Sequence, residues 1–139
     1  MVIGSGVDVI EIARIERVLA DRGDRFERRV FSAAEIEACR RTRRPASHYA
    51  VRFAAKEALM KAVGTGWARG VRWVDIETRP DSGRAGEVSE RLALTLHGAV
   101  GTLAGELAGQ AGGTARAHLA VGRSRTHAVA SVLLEARVR

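Results

Sequence analysis

With a single cysteine, Cys39, the chain can form no disulfide within itself, and a reducing compartment is its natural setting. No apolar run approaches the roughly 18 to 20 residues needed to cross a bilayer as a helix, and the opening "MVIGSGVDVI" lacks a basic stretch followed by a long apolar one. These absences exclude a disulfide scaffold and argue for a cytoplasmic protein that no membrane holds. Internal repeats and low-complexity linkers are missing too. At 139 residues the chain has the size of one ordinary domain, so residues 1–139 are read as one domain with one core.

Aromatic residues make up only 4% of the chain, too few for a surface that stacks nucleic-acid bases, so a nucleic-acid partner is not expected. Lysine is scarcer still: Lys56 and Lys61 are the only two, and every other cation is an arginine. The formal net charge of +7 calls for an acidic partner, whether a polyphosphate ligand, an acidic protein, an anionic surface or nucleic acid, and does not choose among them. Arginine bias is also what a G+C-rich genome produces. Two lysines kept against that bias, five residues apart, mark places where a compact ammonium serves and a planar guanidinium does not.

The stretch "VIGSGVDVI" is apolar and β-branched, with Gly4 and Gly6 where something else approaches its backbone closely, and it predicts a strand with Asp8 at its far end. Ile12, Ile15, Val18 and Leu19 recur at helical spacing and predict a helix over 11–22 that stops at Gly23. Ser32 followed by Glu35 is the signature of a capping box opening a second helix. Ser47 is expected to cap a third helix to about Val63, with Val51, Ala54, Ala55, Ala58, Leu59 and Ala62 as a small-residue buried stripe. Its other face would carry Arg52, Lys56, Glu57 and Lys61.

Further strands are expected in "VRWVDIETR" and "RLALTLHG", separated by a turn in "DSGRAGE", then a glycine-interrupted helix over 99–113. Two strands, 116–122 and 127–135, would close the chain around the turn "RSRT". Helices and antiparallel strands without βαβ alternation give an α+β fold, a small antiparallel sheet packed with helices.

Glu57 and Lys61, four apart on one helical face, are in isolation an ordinary ion pair worth a few tenths of a kcal/mol. Combined with Asp8, Lys56 and the glycine turn Gly64-Thr65-Gly66, they become a set of two hard carboxylate ligands, two ammonium groups and a place for an extended ligand, which suits a pyrophosphate held with Mg²⁺.

"GSGVDVIEIARIERVL" resembles the N-terminal motif, and "RFAAKEALMKAVGTG" the central motif, of the holo-acyl-carrier-protein synthase type of 4′-phosphopantetheinyl transferase. The resemblance extends to "VDIE" at 74–77 and the closing "HAVASVLLE". It implies the 4′-phosphopantetheinyl transferase fold and a Mg²⁺-dependent transfer of 4′-phosphopantetheine from coenzyme A to a serine of an apo acyl carrier protein, releasing adenosine 3′,5′-bisphosphate. Asp8 and Glu57 would hold Mg²⁺, and Lys61 would face the pyrophosphate. Glu57 or a water on the metal would take the serine proton. Lys56 would contact the nucleotide end or a neighbouring subunit, and Gly64, Thr65 and Gly66 would receive the pantetheine arm.

The resemblance also implies an acidic carrier protein, from fatty acid or polyketide assembly, docked on Arg14, Arg22 and Arg25 with Phe26 as an apolar anchor. Arg40, Arg41, Arg43 and Arg44 suit either a solvated helix end or the coenzyme A phosphates. It implies a homotrimer with active sites between subunits, so Asp8 and Glu57 need not serve one chain's site. Trp67 and Trp73 are read as core or interface residues, and His48, His97 and His118 are given no catalytic role.

The sequence departs from the family in one place. The family usually carries Ser-x-Ser/Thr-His near the end of the penultimate strand, its histidine beside the coenzyme A phosphates. An ungapped alignment puts Ala120, Gly122 and Arg123 there. The look-alike Ser124-Arg125-Thr126-His127 would delete the hairpin turn. Arg123 is therefore expected to replace the histidine as a phosphate ligand, since a guanidinium binds phosphate oxygens bidentately, with His127 bringing an imidazole to nearly the same space. The alternative is a degenerate member that binds coenzyme A or a carrier without efficient transfer.

Overall fold

The computed structural model describes residues 1–67, 70–81 and 91–138. Strand β1 (Val2–Glu11) leads into helix α1 (Ile12–Val30), α2 (Ala33–Arg40) and the long α3 (Pro45–Val63). A 3₁₀ turn at Trp73–Asp75 then precedes β2 (Ile76–Pro80), β3 (Leu92–Leu96), α4 (Gly98–Gln110), β4 (Thr114–Arg123) and β5 (His127–Arg137). Two antiparallel sheets result, one ordered β1-β5-β4 and the other β2-β3. The α+β expectation holds.

β5 is the centre of the larger sheet. Its alternate residues Ala128, Ala130, Val132, Leu134 and Ala136 are fully buried, while Val129 and Leu133 on the other face are exposed. Five of the buried side chains of α3 are alanines, at positions 50, 54, 55, 58 and 62, so the helix settles close onto β1 and β5. The approach is closest at β1, where a Cβ on Gly4 would overlap the carbonyl oxygen of Ala62 and one on Gly6 that of Ala58. The glycines anticipated as sites of close approach thus meet α3, and that contact fixes Asp8, two residues on, against the last turns of the helix. Ile12, Ile15, Leu59, Ile76, Val100 and Leu134 join the same core; each large side chain buried there contributes about 1.5 to 3 kcal/mol.

Several expected boundaries move. Gly23 is a kink and not a stop: its φ of 44° and ψ of −121° interrupt α1, which resumes to Val30 because Glu27 and Val30 still have a buried side to fill. Helix α3 starts with Pro45 at its first turn, behind Arg44 as N-cap, so Ser47 lies inside the helix. The first half of the "VRWVDIETR" segment turns as a 3₁₀ helix, and only Ile76 onward pairs in a sheet. Beyond Asp81, the expected turn "DSGRAGE" lies outside the described residues. The capping box at Ser32 forms as anticipated: Glu35 N–H donates to Ser32 Oγ at 3.2 Å and Ser32 N–H donates to Glu35 Oε1 at 2.9 Å. No described helix is long and apolar enough to cross a membrane.

Candidate active site

β1 and the last turns of α3 bring Asp8, Glu57 and Lys61 together within one chain. Lys61 Nζ donates to Asp8 Oδ1 at 3.1 Å and to the Val7 carbonyl at 2.8 Å. Glu57 lies one helical turn before Lys61 and is half-buried. Burial first, and then the negative charge of Asp8, push its carboxyl above the usual carboxylate range. A hydrogen bond from the Trp67 side chain and the charges of Lys61 and Arg14 pull the other way. The charge of Asp8 thus reaches a half-buried carboxylate whose cationic compensation is incomplete, which favours an added cation.

The donor set fits Mg²⁺ in particular. Among the described residues no three His, Cys, Asp or Glu side chains gather into a full metal cage. Mg²⁺ keeps several waters and takes one or two protein carboxylates together with substrate phosphate oxygens, so Asp8 and Glu57 are a sufficient protein contribution.

Gly64 ends α3 in the left-handed region at φ 81°, and Gly66 follows at φ 65°. Gly64, Thr65 and Gly66 are all exposed, so the chain turns sharply here without closing off the space beside Lys61. Trp67 comes next. Its ring stacks on Trp73 with centroids 3.7 Å apart, and Trp73 stacks in turn on Phe53 at 4.9 Å. Trp73 packs partly buried against the core, as expected of a core or interface residue, whereas Trp67 remains 37% exposed.

Lys56 is corrected. It is fully buried, with Nζ 2.8 Å from Glu35 Oε1, and it also donates to the carbonyls of Val30 at 2.7 Å and Trp73 at 3.1 Å. Burial lowers its pKa from the ordinary value, and the Glu35 carboxylate pushes it back up. All three ammonium protons have internal acceptors, so it reaches neither a nucleotide nor another subunit. One residue along a helix is about 100° of rotation, which is enough to put Lys56 in the core and Glu57 at the site.

At the other end of α3 lies an open groove of about 470 Å³ lined by Arg43, Arg44, Ser47, His48, Arg123, Ser124 and Arg125. Arg123 Nη1 donates to Ser47 Oγ at 3.2 Å and lies 3.0 Å from His48 Nε2. Arg52, one turn further along, is buried, donates to the His48 carbonyl at 3.3 Å, and leaves its Nε without a hydrogen-bond partner among the described residues. The imidazole that meets Arg123 is thus that of His48. His127 instead has its Nδ1 2.8 Å from Thr126 Oγ1 and lines a neighbouring groove with Glu11, Ile12 and Glu16, which corrects the expectation that it shares the space of Arg123. No local spacing joins residues 48 and 123, and only the packing of β4 against α3 does. The ungapped hairpin is upheld, with Ser124 N–H donating to the His127 carbonyl at 2.8 Å across the turn.

The remaining arginines divide. Arg40 makes a two-pronged contact with Glu27 at 2.9 Å, Arg41 pairs with Glu37 on the surface, and neither lines the groove. Arg43 and Arg44 face the groove. Arg14, Arg22 and Arg25 are exposed along α1, whereas Phe26 is half-buried, its ring edge-on to Phe31 at 5.8 Å.

A fold that places two hard carboxylates beside a lysine, with an arginine-lined groove at the opposite end of the same helix, defines a protein that handles a phosphate-bearing ligand. Comparison with known proteins gives the family. Residues 4–119, which include Asp8, Glu57 and Lys61 and stop short of Arg123, match the model of the 4′-phosphopantetheinyl transferase superfamily. A holo-[acyl-carrier-protein] synthase of Koribacter versatilis is 40% identical over 97% of this chain and 99% of its own. The crystal structure of a holo-(acyl-carrier-protein) synthase from Bacillus anthracis in complex with CoA (3′,5′-ADP) is 32% identical, covers 99% of both chains and superposes with a TM-score of 0.73. That of the Neisseria meningitidis enzyme, 27% identical over 97% of this chain and 99% of its own, has a TM-score of 0.78. The chain belongs to the 4′-phosphopantetheinyl transferase family, in its holo-acyl-carrier-protein synthase type.

Proposed function

We propose that the chain transfers 4′-phosphopantetheine from coenzyme A to a serine of an apo acyl carrier protein. The convergence of Asp8, Glu57 and Lys61 on one space carries this reading. In the transfer the serine Oγ forms a bond to the phosphorus that bears the pantetheine arm. The bond from that phosphorus to the bridging oxygen breaks, and adenosine 3′,5′-bisphosphate leaves. Lys61 stabilises the charge that collects on the phosphate oxygens, as preorganised cations do in phosphoryl transfer. Glu57, with its raised proton affinity, is the chain's own acceptor for the serine proton. Asp8 and Glu57 would hold Mg²⁺, which would supply positive charge to neutralise the substrate phosphates.

The arginine groove is the proposed grip on the nucleotide phosphates, with Arg123 in place of the family histidine and His48 beside it. The unsatisfied Nε of buried Arg52, close by, supports an anionic occupant. His48 and Glu57 are nine residues apart on α3, roughly 14 Å of helix rise, so one phosphate cannot touch both clusters of one chain. This separation supports a homotrimer whose sites form between copies. The outer face of the β1-β5-β4 sheet supplies an apolar surface for it: Val7, Val9, Val129 and Leu133 are exposed there, with Val9 opposite Val129. The exposed Arg14, Arg22 and Arg25 suit an acidic carrier, and with one buried cysteine a reducing, cytoplasmic setting is consistent.

Intact-mass measurement of an apo acyl carrier protein, incubated with this protein, coenzyme A and Mg²⁺, tests the reading. Gain of one phosphopantetheine mass, lost in Glu57→Ala, is the expected result. No gain across several carriers, with coenzyme A still bound, would identify a binding protein that does not transfer.

A further inference from the structure

Arg123 and His48 meet nitrogen to nitrogen, and that contact fixes a protonation state. A guanidinium carries N–H donors and no acceptor, so Arg123 Nη1, at 3.0 Å from His48 Nε2, requires a lone pair on that ring nitrogen. His48 is then a neutral imidazole with its proton on Nδ1. Its surroundings favour the same form. Arg44, the N-cap of α3, recurs with His48 and Arg52 at intervals of four residues, so the three share one face of the helix. Arg43 and Arg125 line the same groove, and Glu16 of α1, 3.9 Å from Arg44 Nη2, offsets part of this positive charge. Cations gathered around an imidazole disfavour its charged form. The position of His48 in the first turn of α3, at the positive end of the helix dipole, acts in the same direction.

An anion in the groove reverses these conditions. Ionised phosphate oxygens are strong acceptors, so Arg123 can give its N–H to them and release Nε2. His48 lines the groove, and its released nitrogen can bond to a phosphate oxygen only by carrying a proton itself. The negative charge of the phosphate stabilises the imidazolium so formed. We propose that His48 is a proton-linked ligand of the nucleotide phosphate: the groove takes up the anion together with a proton from solvent, placed on His48 Nε2, so that affinity rises as pH falls through the histidine range. The inference rests on the reading of this groove as the nucleotide-phosphate site.

The probe is adenosine 3′,5′-bisphosphate, added to the full chain in a buffer free of phosphate and sulfate. Nitrogen NMR of protein isotopically labelled at histidine reads both ring nitrogens, and the His48 signals are those missing from His48→Gln or His48→Phe. The free protein should show a neutral His48 ring protonated on Nδ1, and saturation with the probe should move its titration midpoint upward. Titration calorimetry gives a second readout. Between about pH 8 and about pH 6 the wild type should gain about tenfold more affinity for the probe than His48→Gln, which hydrogen-bonds without titrating. Comparing the two proteins cancels the titration of the probe's own phosphates. A midpoint unmoved or lowered by the probe, or the same pH dependence in both proteins, would overturn the role of His48 and leave the groove standing. Failure of the wild type to bind the probe anywhere in this range would remove the phosphate reading of the groove and this inference with it.

Discussion

Helix α3 carries two lysine–carboxylate pairs five residues apart, and they do opposite things. Lys56 and Glu35 are fully buried at 2.8 Å, closed in by the carbonyls of Val30 and Trp73 and by Thr78, whose hydroxyl donates to Glu35 at 2.5 Å. Lys61 and Asp8, at 3.1 Å, leave more than half of the lysine side chain in solvent. The first pair has every donor satisfied from within and ties α2, α3 and β2 together. The second pair faces an additional carboxylate, Glu57, and has capacity left for a ligand. Each pair joins a lysine of α3 to a carboxylate from another element; the amount of water around them decides which is scaffold and which is site.

The contrast is sharpest for the buried pair. Lys56→Met leaves Glu35 without its counter-ion in the core and should cost on the order of 3 to 5 kcal/mol of stability. Urea denaturation would measure it. Adding Glu35→Leu to that variant should restore part of the loss and not all, because Glu35 also caps α2 and accepts from Thr78. At the exposed pair the effect moves from stability to chemistry. Glu57→Ala should lower transfer to a carrier by at least a hundredfold, roughly 3 kcal/mol of barrier, with an unchanged or slightly higher melting temperature, since a half-buried carboxylate facing Asp8 is removed.

Smaller effects belong to the far end of α3. Arg123→Ala should weaken coenzyme A binding about tenfold, or about 1.4 kcal/mol, as read by titration calorimetry. Affinity equal to the wild type would remove Arg123 from the nucleotide site. The smallest expected change concerns Glu27, whose carboxyl the Arg40 hydrogen bond, helped by Tyr49 and against burial, holds below its ordinary 4.5. Such a group contributes fully to stability above the unfolded value and loses that contribution as pH falls through its lower folded value. In a pH series of thermal melts, Glu27→Gln should therefore lose less stability than the wild type on acidification below about pH 4.5.

What the sequence made legible was mostly local. Ser32 and Glu35 announce a capping box because its two hydrogen bonds span three residues, and both form. Gly4 and Gly6 announce a close approach, although only the structure names α3 as the neighbour. Asp8, Glu57 and Lys61 were recovered together because the family resemblance joined two motifs that no spacing rule connects. Lys56 was misplaced because α3 is alanine-rich on several faces, so hydrophobic periodicity cannot say which charged residue turns inward. His48 was passed over because its meeting with Arg123 depends on how β4 ends against α3, seventy-five residues away. Gly23 reads as a helix stop locally and becomes a kink because the apolar surface beyond it still packs on the core.

The most direct test compares Lys56→Met with Lys61→Met, each measured for melting temperature and for phosphopantetheine transfer per folded molecule, at a temperature where both remain folded. The expected result is a crossed pattern: Lys56→Met melts far earlier yet transfers, and Lys61→Met melts like the wild type yet transfers poorly. The reverse pattern, or equal loss of both properties in both variants, would contradict the division of the helix into a structural lysine and a chemical one.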